Sequence, residues 1–257
     1  MTKNVNASLK RSFDAYLYAK NYDKAVQMGE EYLKVQSDDK AIIQNMAQVY
    51  GLKKENLVRA EQLIAKLDKN TQNKYIRKIA SNQKKKKNWD VAITWYQKAQ
   101  AIRSTSSNTK KIAICFEEKG DWTNAIKNYI KFMDEKGPGA DCSNVALKLG
   151  KYYEDKGSTS RAISYYRKSI EGTQFKNNIA KKLMIMYYEA SNYDSTLEMA
   201  NLLKKKGKED NDVIIYKARS MRQLGNNAEA KTEYQRLASN GKYKSEASQA
   251  IKSIDSE

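Results

Sequence analysis

The chain has 257 residues, with 48 Lys and Arg against 30 Asp and Glu, a formal net charge of +18 and no histidine at all. Without His there is no imidazole base, no Ser-His or Cys-His nucleophile pair and no His metal ligand. One proline, eleven glycines and 40% hydrophobic residues suit an ordered helical protein, and no apolar run approaches the roughly 18 residues of a spanning helix.

The N-terminal stretch MTKNVNASLKRSFDAYLYAK is basic but has no apolar segment of signal-peptide length. This leaves two readings, a protein kept in the cytoplasm or a mature exported piece already trimmed of its signal. From about residue 6 a helix-turn-helix pattern recurs down the chain. Its second helices are anchored by Ala25, Ala60, Ala92, Ala125, Ala162, Thr196 and Ala230, which lie 32 to 37 residues apart and average about 34. The units run over 6–39, 40–72, 73–105, 106–141, 142–175, 176–209 and 210–240, as a single domain spanning 1–257. In the second unit the turn between the helices is one residue longer. The third carries Lys84 to Lys87, four lysines that read as a solvated turn. Cys115 and Cys142 match neither a redox nor a zinc spacing and read as small, at least half-buried residues. Between the fourth and fifth units Gly137-Pro138-Gly139 predicts a loop insertion, and a helix over 243–255 caps the array.

Other positions keep fixed distances from the anchors. Tyr22, Trp89, Trp122 and Tyr193 stand three before, and Tyr96, Tyr129, Tyr166 and Tyr234 four after. Twelve before, the residue is small at Ala80, Ala113, Gly150 and Ala218. Small residues facing aromatics let paired helices interlock. This pattern resembles the tetratricopeptide repeat, and both its period and its aromatic placement favour that family over the 35-residue pentatricopeptide type, an RNA reader. The resemblance implies an all-α solenoid of about seven hairpins. Phe13 and Met184 in place of small residues, and Gly29, Ile64 and Ala200 in place of the later aromatic, are expected to weaken their units.

In the first helix of each unit, the two positions after the start of the apolar stripe point to solvent at about 100° per residue. They read Lys10 and Arg11, Gln44 and Asn45, Arg77 and Lys78, Lys110 and Lys111, Leu147 and Lys148, Lys181 and Lys182, Ile215 and Tyr216. Nine of the fourteen are basic and none is acidic, so stacking merges them into a cationic stripe. The family resemblance implies that this face lines a concave groove for extended peptides or partner helices. The groove candidates are Asn45, Lys74, Arg77, Lys78, Lys110, Lys111, Asn144, Lys148, Lys151, Asn178, Lys181, Lys182, Tyr216 and Arg219, with units three to six as the footprint and Tyr188 also on the exposed side. The order of lysines and asparagines does not reproduce the carboxylate clamp of some relatives as a set.

No glycine-rich phosphate loop, nucleophile elbow or metal spacing appears, and Glu117 and Glu118 have an ordinary solvated explanation at a helix end. The expectation is a non-catalytic scaffold without cofactor, binding an acidic or carboxylate-bearing segment of a protein. The alternatives are nucleic-acid binding, RNA above all, through the same stripe, and a spacer whose charge serves only solubility.

Overall fold

The computed structural model describes residues 2–171, 175–239 and 241–257, which are helical with no strand among them. The helices succeed one another as seven hairpins and a final helix. These are α1 (Thr2–Tyr18) with α2 (Tyr22–Val35), α3 (Lys40–Val49) with α4 (Leu57–Ala65), α5 (Lys69–Lys85) with α6 (Trp89–Ile102), α7 (Ser106–Glu118) with α8 (Trp122–Lys136), α9 (Ala140–Asp155) with α10 (Thr159–Ile170), α11 (Asn177–Glu189) with α12 (Tyr193–Lys205), α13 (Asn211–Gln223) with α14 (Asn227–Leu237), and α15 (Lys244–Asp255). Two compact units result, Met1–Glu135 and Lys136–Glu257. Among the described residues no helix is long and apolar enough to cross a membrane.

Six of the seven hairpins carry one large and one small side chain sixteen residues apart. Tyr96 packs opposite Ala80, Tyr129 opposite Ala113, Tyr166 opposite Gly150 and Tyr234 opposite Ala218, with every member of these pairs buried. The approach at Gly150 is so close that a Cβ there would lie 2.6 Å from Cδ1 of Tyr166. In the first and sixth hairpins the two sizes are exchanged. Fully buried Phe13 faces Gly29, and fully buried Met184 is matched by Ala200. The large and the small residue thus change places in these two hairpins.

The extra residue of the second hairpin is absorbed at the end of its first helix as a π-turn over Tyr50–Lys54, closed by left-handed Glu55. The same left-handed position ends the first helix elsewhere, at Gly120, Gly157 and Gly225 but also at Lys20, Lys87 and Ser191. Asn21, Asn56 and Asn192 then cap the second helices with their side chains. At the array's end, Ala247 and Ala250 of α15 join Ile214, Ile215, Tyr234 and Leu237 in one apolar cluster. The first helices begin at a different set of caps. Asp39, Asp68, Thr105 and Asp210 accept first-turn amides of α3, α5, α7 and α13, and the identity of these caps decides where charge is left over.

Candidate functional site

Of the two positions assigned to solvent in each first helix, the earlier one is not solvent-facing. Lys10, Gln44, Arg77, Lys110, Leu147 and Lys181 are half-buried and Ile215 is fully buried. This corrects the reading from helical phase alone: at Lys10 and Lys181 the side chain reaches the cap of the first helix of the next hairpin. Lys10 there bonds the cap Asp39 at 2.7 Å, with Tyr32 on the same carboxylate at 2.9 Å. Lys181 likewise pairs with the cap Asp210. Ile215 faces the terminal apolar cluster instead.

A second recurring carboxylate sits twelve residues before the large tyrosine. Tyr129 donates its hydroxyl to Glu117, and Tyr166 donates to Glu154, so Glu117 is not merely solvated at its helix end. Glu154 also receives Lys182 at 2.5 Å. Burial and the carboxylate at its hydroxyl raise the pKa of Tyr166 well above the ordinary phenol value.

In the second unit this scheme consumes most of the predicted cations. Lys181 and Lys182 are paired as above, and Arg219 holds Glu246 through two hydrogen bonds of 2.6 Å. Asn144 is exposed and accepts Lys176 at 2.9 Å. Lys148, Lys151 and Asn178 are exposed. Tyr216 and Tyr188 are half-buried against each other, edge to face with centroids 5.2 Å apart, while the Arg219 guanidinium lies over Tyr216.

In the first unit both carboxylates are missing at one place. The cap of α7 is Thr105 where the equivalent caps of α3 and α13 are aspartates, so Arg77 has no carboxylate at the position that serves Lys10 and Lys181. Twelve residues before Tyr96 stands Lys84, where Glu117 and Glu154 stand before Tyr129 and Tyr166. Lys111, which corresponds to Lys182, therefore meets a lysine. Burial, then the charges of Arg77 and Lys84, push its pKa below the usual lysine value.

The consequence is an open cleft of about 610 Å³ lined by Asn70, Asn73, Lys74, Arg77, Lys78, Ser81, Arg103 and Lys111. Its lining holds five cationic side chains and no aspartate or glutamate. Lys78 reaches only a neutral partner, the Gln48 carbonyl at 3.2 Å. The ammonium groups lie over aromatic faces, that of Lys78 5.2 Å from the ring centroid of Tyr75 and that of Lys111 5.6 Å from that of Tyr96. Nε of Arg77 and Oδ1 of Asn73 are buried without a hydrogen-bond partner.

Four predicted residues thus converge here: Lys74, Arg77, Lys78 and Lys111. Asn45 lines a separate, smaller hollow with Leu17, Tyr18 and Gln48. Lys110 is half-buried with its ammonium over Phe132 at 5.2 Å. The sequence reading missed Asn70, Asn73, Ser81 and Arg103. The signal for three of them was within reach, since Asn70 and Asn73 share a face with Lys74 and Arg77 at helical spacing, and Ser81 lies one turn beyond Arg77. Arg103 ends α6 in extended backbone, where periodicity gives no direction.

The sequence signature of the tetratricopeptide repeat family matches residues 212–240, the seventh hairpin. No curated protein matches the sequence. Among solved structures, the chain is similar to the TPR2AB domain of yeast Sti1 in a complex with pHSP90, at 15% identity over 98% of this chain and 99% of that one, with a TM-score of 0.45. It is also similar to PilF of Pseudomonas aeruginosa, at 14% identity over 96% and 98% of the two chains and a TM-score of 0.37. A tetratricopeptide repeat protein from Parabacteroides merdae gives 10% identity over 98% and 99%, with a TM-score of 0.39.

Proposed function

We propose that this array of tetratricopeptide-type hairpins is a non-catalytic scaffold that holds an anionic segment of a partner protein in the basic cleft of its first unit. The observation that carries the reading is the convergence of five cationic side chains on a cleft whose lining contains no carboxylate. Like charges gathered at such range repel, and an incoming anion relieves that repulsion while the lysine and arginine donors hold it. The positive potential steers an acidic segment from a distance, and the arginine and amide donors then fix its position. The footprint is narrower than units three to six. It lies on α5, the end of α6 and the start of α7, because the corresponding cations of the second unit are already paired with Asp210, Glu154 and Glu246.

The test is binding of a labelled poly-glutamate peptide and of a single-stranded oligonucleotide across a salt series. The peptide is expected to bind at low salt and to weaken as salt rises, since exposed charges are screened beyond about 8 to 10 Å at physiological ionic strength. Reversing Lys74 and Lys111 to Glu abolishes its binding with the helical circular dichroism unchanged. Reversing Lys181 and Lys182 leaves it nearly intact. Equal loss from both pairs of changes refutes the assignment to the first unit. Preferential binding of the oligonucleotide, with a salt slope proportional to the phosphates contacted, makes the partner a nucleic acid instead.

A further inference from the structure

We propose that the acid-free cleft recognises a phosphomonoester dianion presented on the partner segment, that is, a phosphorylated side chain. The inference rests on the anionic-partner reading above and narrows it. The lining supplies Lys74, Arg77, Lys78, Arg103 and Lys111, with the amides of Asn70 and Asn73 and the hydroxyl of Ser81. A single carboxylate brings one negative charge and two acceptor oxygens. A phosphomonoester brings about −1.5 to −2 at neutral pH and three strong acceptors, a closer match to five positive charges and two guanidinium forks. The rest of the molecule sets the scale of comparison. Where one carboxylate suffices, as for Lys181 with Asp210 or Arg219 with Glu246, the protein provides it from the next helix. At this cleft it provides none, neither at the cap that is Asp39 or Asp210 in other hairpins nor at the position of Glu117 and Glu154.

The polar lining bears on what carries the phosphate. Nε of Arg77 is buried without an acceptor, and Oδ1 of Asn73 is buried without a donor. Both atoms lie out of reach of solvent, so an occupant is met by the other polar atoms of these lining side chains. A free phosphate dianion and a nucleic-acid backbone share the anionic oxygens, and the experiment below separates both from a phosphorylated peptide. A phosphorylated peptide offers phosphate oxygens to the lining cations and backbone amide groups to Asn70, Asn73 and Ser81. The depressed pKa of Lys111, caused by burial and by Arg77 and Lys84, agrees with a site whose charge awaits neutralisation.

The experiment is fluorescence anisotropy of the full chain at low salt with three labelled peptides of alternating Ala and Gly, bearing phosphoserine, glutamate or serine at the centre. The phosphoserine peptide is expected to bind about tenfold or more tightly than the glutamate peptide, and the serine peptide not detectably. Lowering the pH from about 7.5 to about 5 protonates the phosphate, whose second pKa is about 6, and removes most of that advantage while leaving the glutamate peptide unchanged. Arg77→Met and Lys111→Met each erase the preference at unchanged circular dichroism, and Lys181→Met retains it. Equal affinity for phosphoserine and glutamate overturns the dianion proposal and leaves the anionic-segment reading standing. Binding of neither overturns both. Inorganic phosphate that competes at concentrations matching the phosphopeptide, or an oligothymidylate that binds more tightly than it, also overturns the proposal.

Discussion

Changing Lys84 to Glu restores at the third hairpin what the fourth and fifth already have. The new carboxylate occupies the position of Glu117 and Glu154, each of which accepts the hydroxyl of the tyrosine twelve residues later. It would take the Tyr96 hydroxyl, which now meets Ser81, and face Lys111 as Glu154 faces Lys182. A hydrogen bond to a charged acceptor contributes about 1.5 kcal/mol or more. A half-exposed ion pair adds about 0.5 kcal/mol. Against these, Lys84 lies in the last turn of α5, where a cation interacts favourably with the helix dipole, and its loss costs about 0.5 kcal/mol. The net is a stabilisation of about 1 to 2 kcal/mol, which in a chain of this size raises the thermal midpoint by about 2 to 6 °C. The same change cancels charge in the cleft, so binding of the anionic peptide should fall by about tenfold. Differential scanning calorimetry and anisotropy on one preparation measure both effects. A destabilised variant, or a stabilised one that binds as before, refutes the argument that Lys84 and Thr105 mark a deliberately unpaired cation site.

Two further outcomes follow from buried charge and from titration. Lys217 and Glu233 form an ion pair at 2.6 Å with both side chains about nine-tenths buried, and Glu233 also holds Arg236. Glu233→Met leaves Lys217 stranded and is expected to cost about 3 kcal/mol or more, whereas Lys217→Met leaves Glu233 its Arg236 and costs clearly less; equal losses in urea unfolding would show that the pair is not the determinant. With no histidine in the chain, stability should be flat from about pH 5.5 to about pH 9. Below that range it falls, because hydrogen bonds and basic partners hold the pKa of Glu30, Asp39, Glu154 and Glu233 below the ordinary carboxylate value, so their contribution is lost as they protonate. Above about pH 10 it falls again. Burial and the neighbouring Glu30 raise the Tyr50 pKa to about 12, burial and Glu117 or Glu154 raise those of Tyr129 and Tyr166 further, and phenols that ionise more readily unfolded favour unfolding. A pH series of chemical melts checks both edges, and a step near pH 6.5 contradicts the account.

What the sequence disclosed was whatever depends on size and period. Ala25, Ala92, Ala125 and Ala162 recur at nearly constant spacing because each must vanish between two helices, and all four are fully buried. Even the irregular second turn was visible as one extra residue, although its form, a π-turn with left-handed Glu55 behind it, was not. The exchange of Phe13 with Gly29 looked like two defects because single positions were compared. What is preserved is the pairing of a large residue with a small one, and that appears only when residues sixteen apart are weighed together.

Charge was harder to read, for a reason that lies in side-chain length. A lysine reaches far enough to leave its own helix, so the partner that neutralises it lies in the neighbouring repeat, about 29 residues away for Lys10 with Asp39 and Lys181 with Asp210. Counting basic residues along one face of a helix registers the donors and omits these acceptors. On that count Lys181 and Arg77 look alike. Three-dimensional pairing separates them, because Asp210 caps the first helix of the hairpin after Lys181 and Thr105 caps that of the hairpin after Arg77. Both caps satisfy first-turn amides equally well, so the choice of threonine is neutral for the helix and decisive for the charge. A cation that the fold leaves unanswered, beside a second lysine where the fourth and fifth hairpins place Glu117 and Glu154, raises the free energy of the empty protein. Such an arrangement persists where an anion from outside lowers it again, and for that reason the absence of acids around Arg77 and Lys111, more than the abundance of lysines along the chain, is the ground for placing the proposed site there.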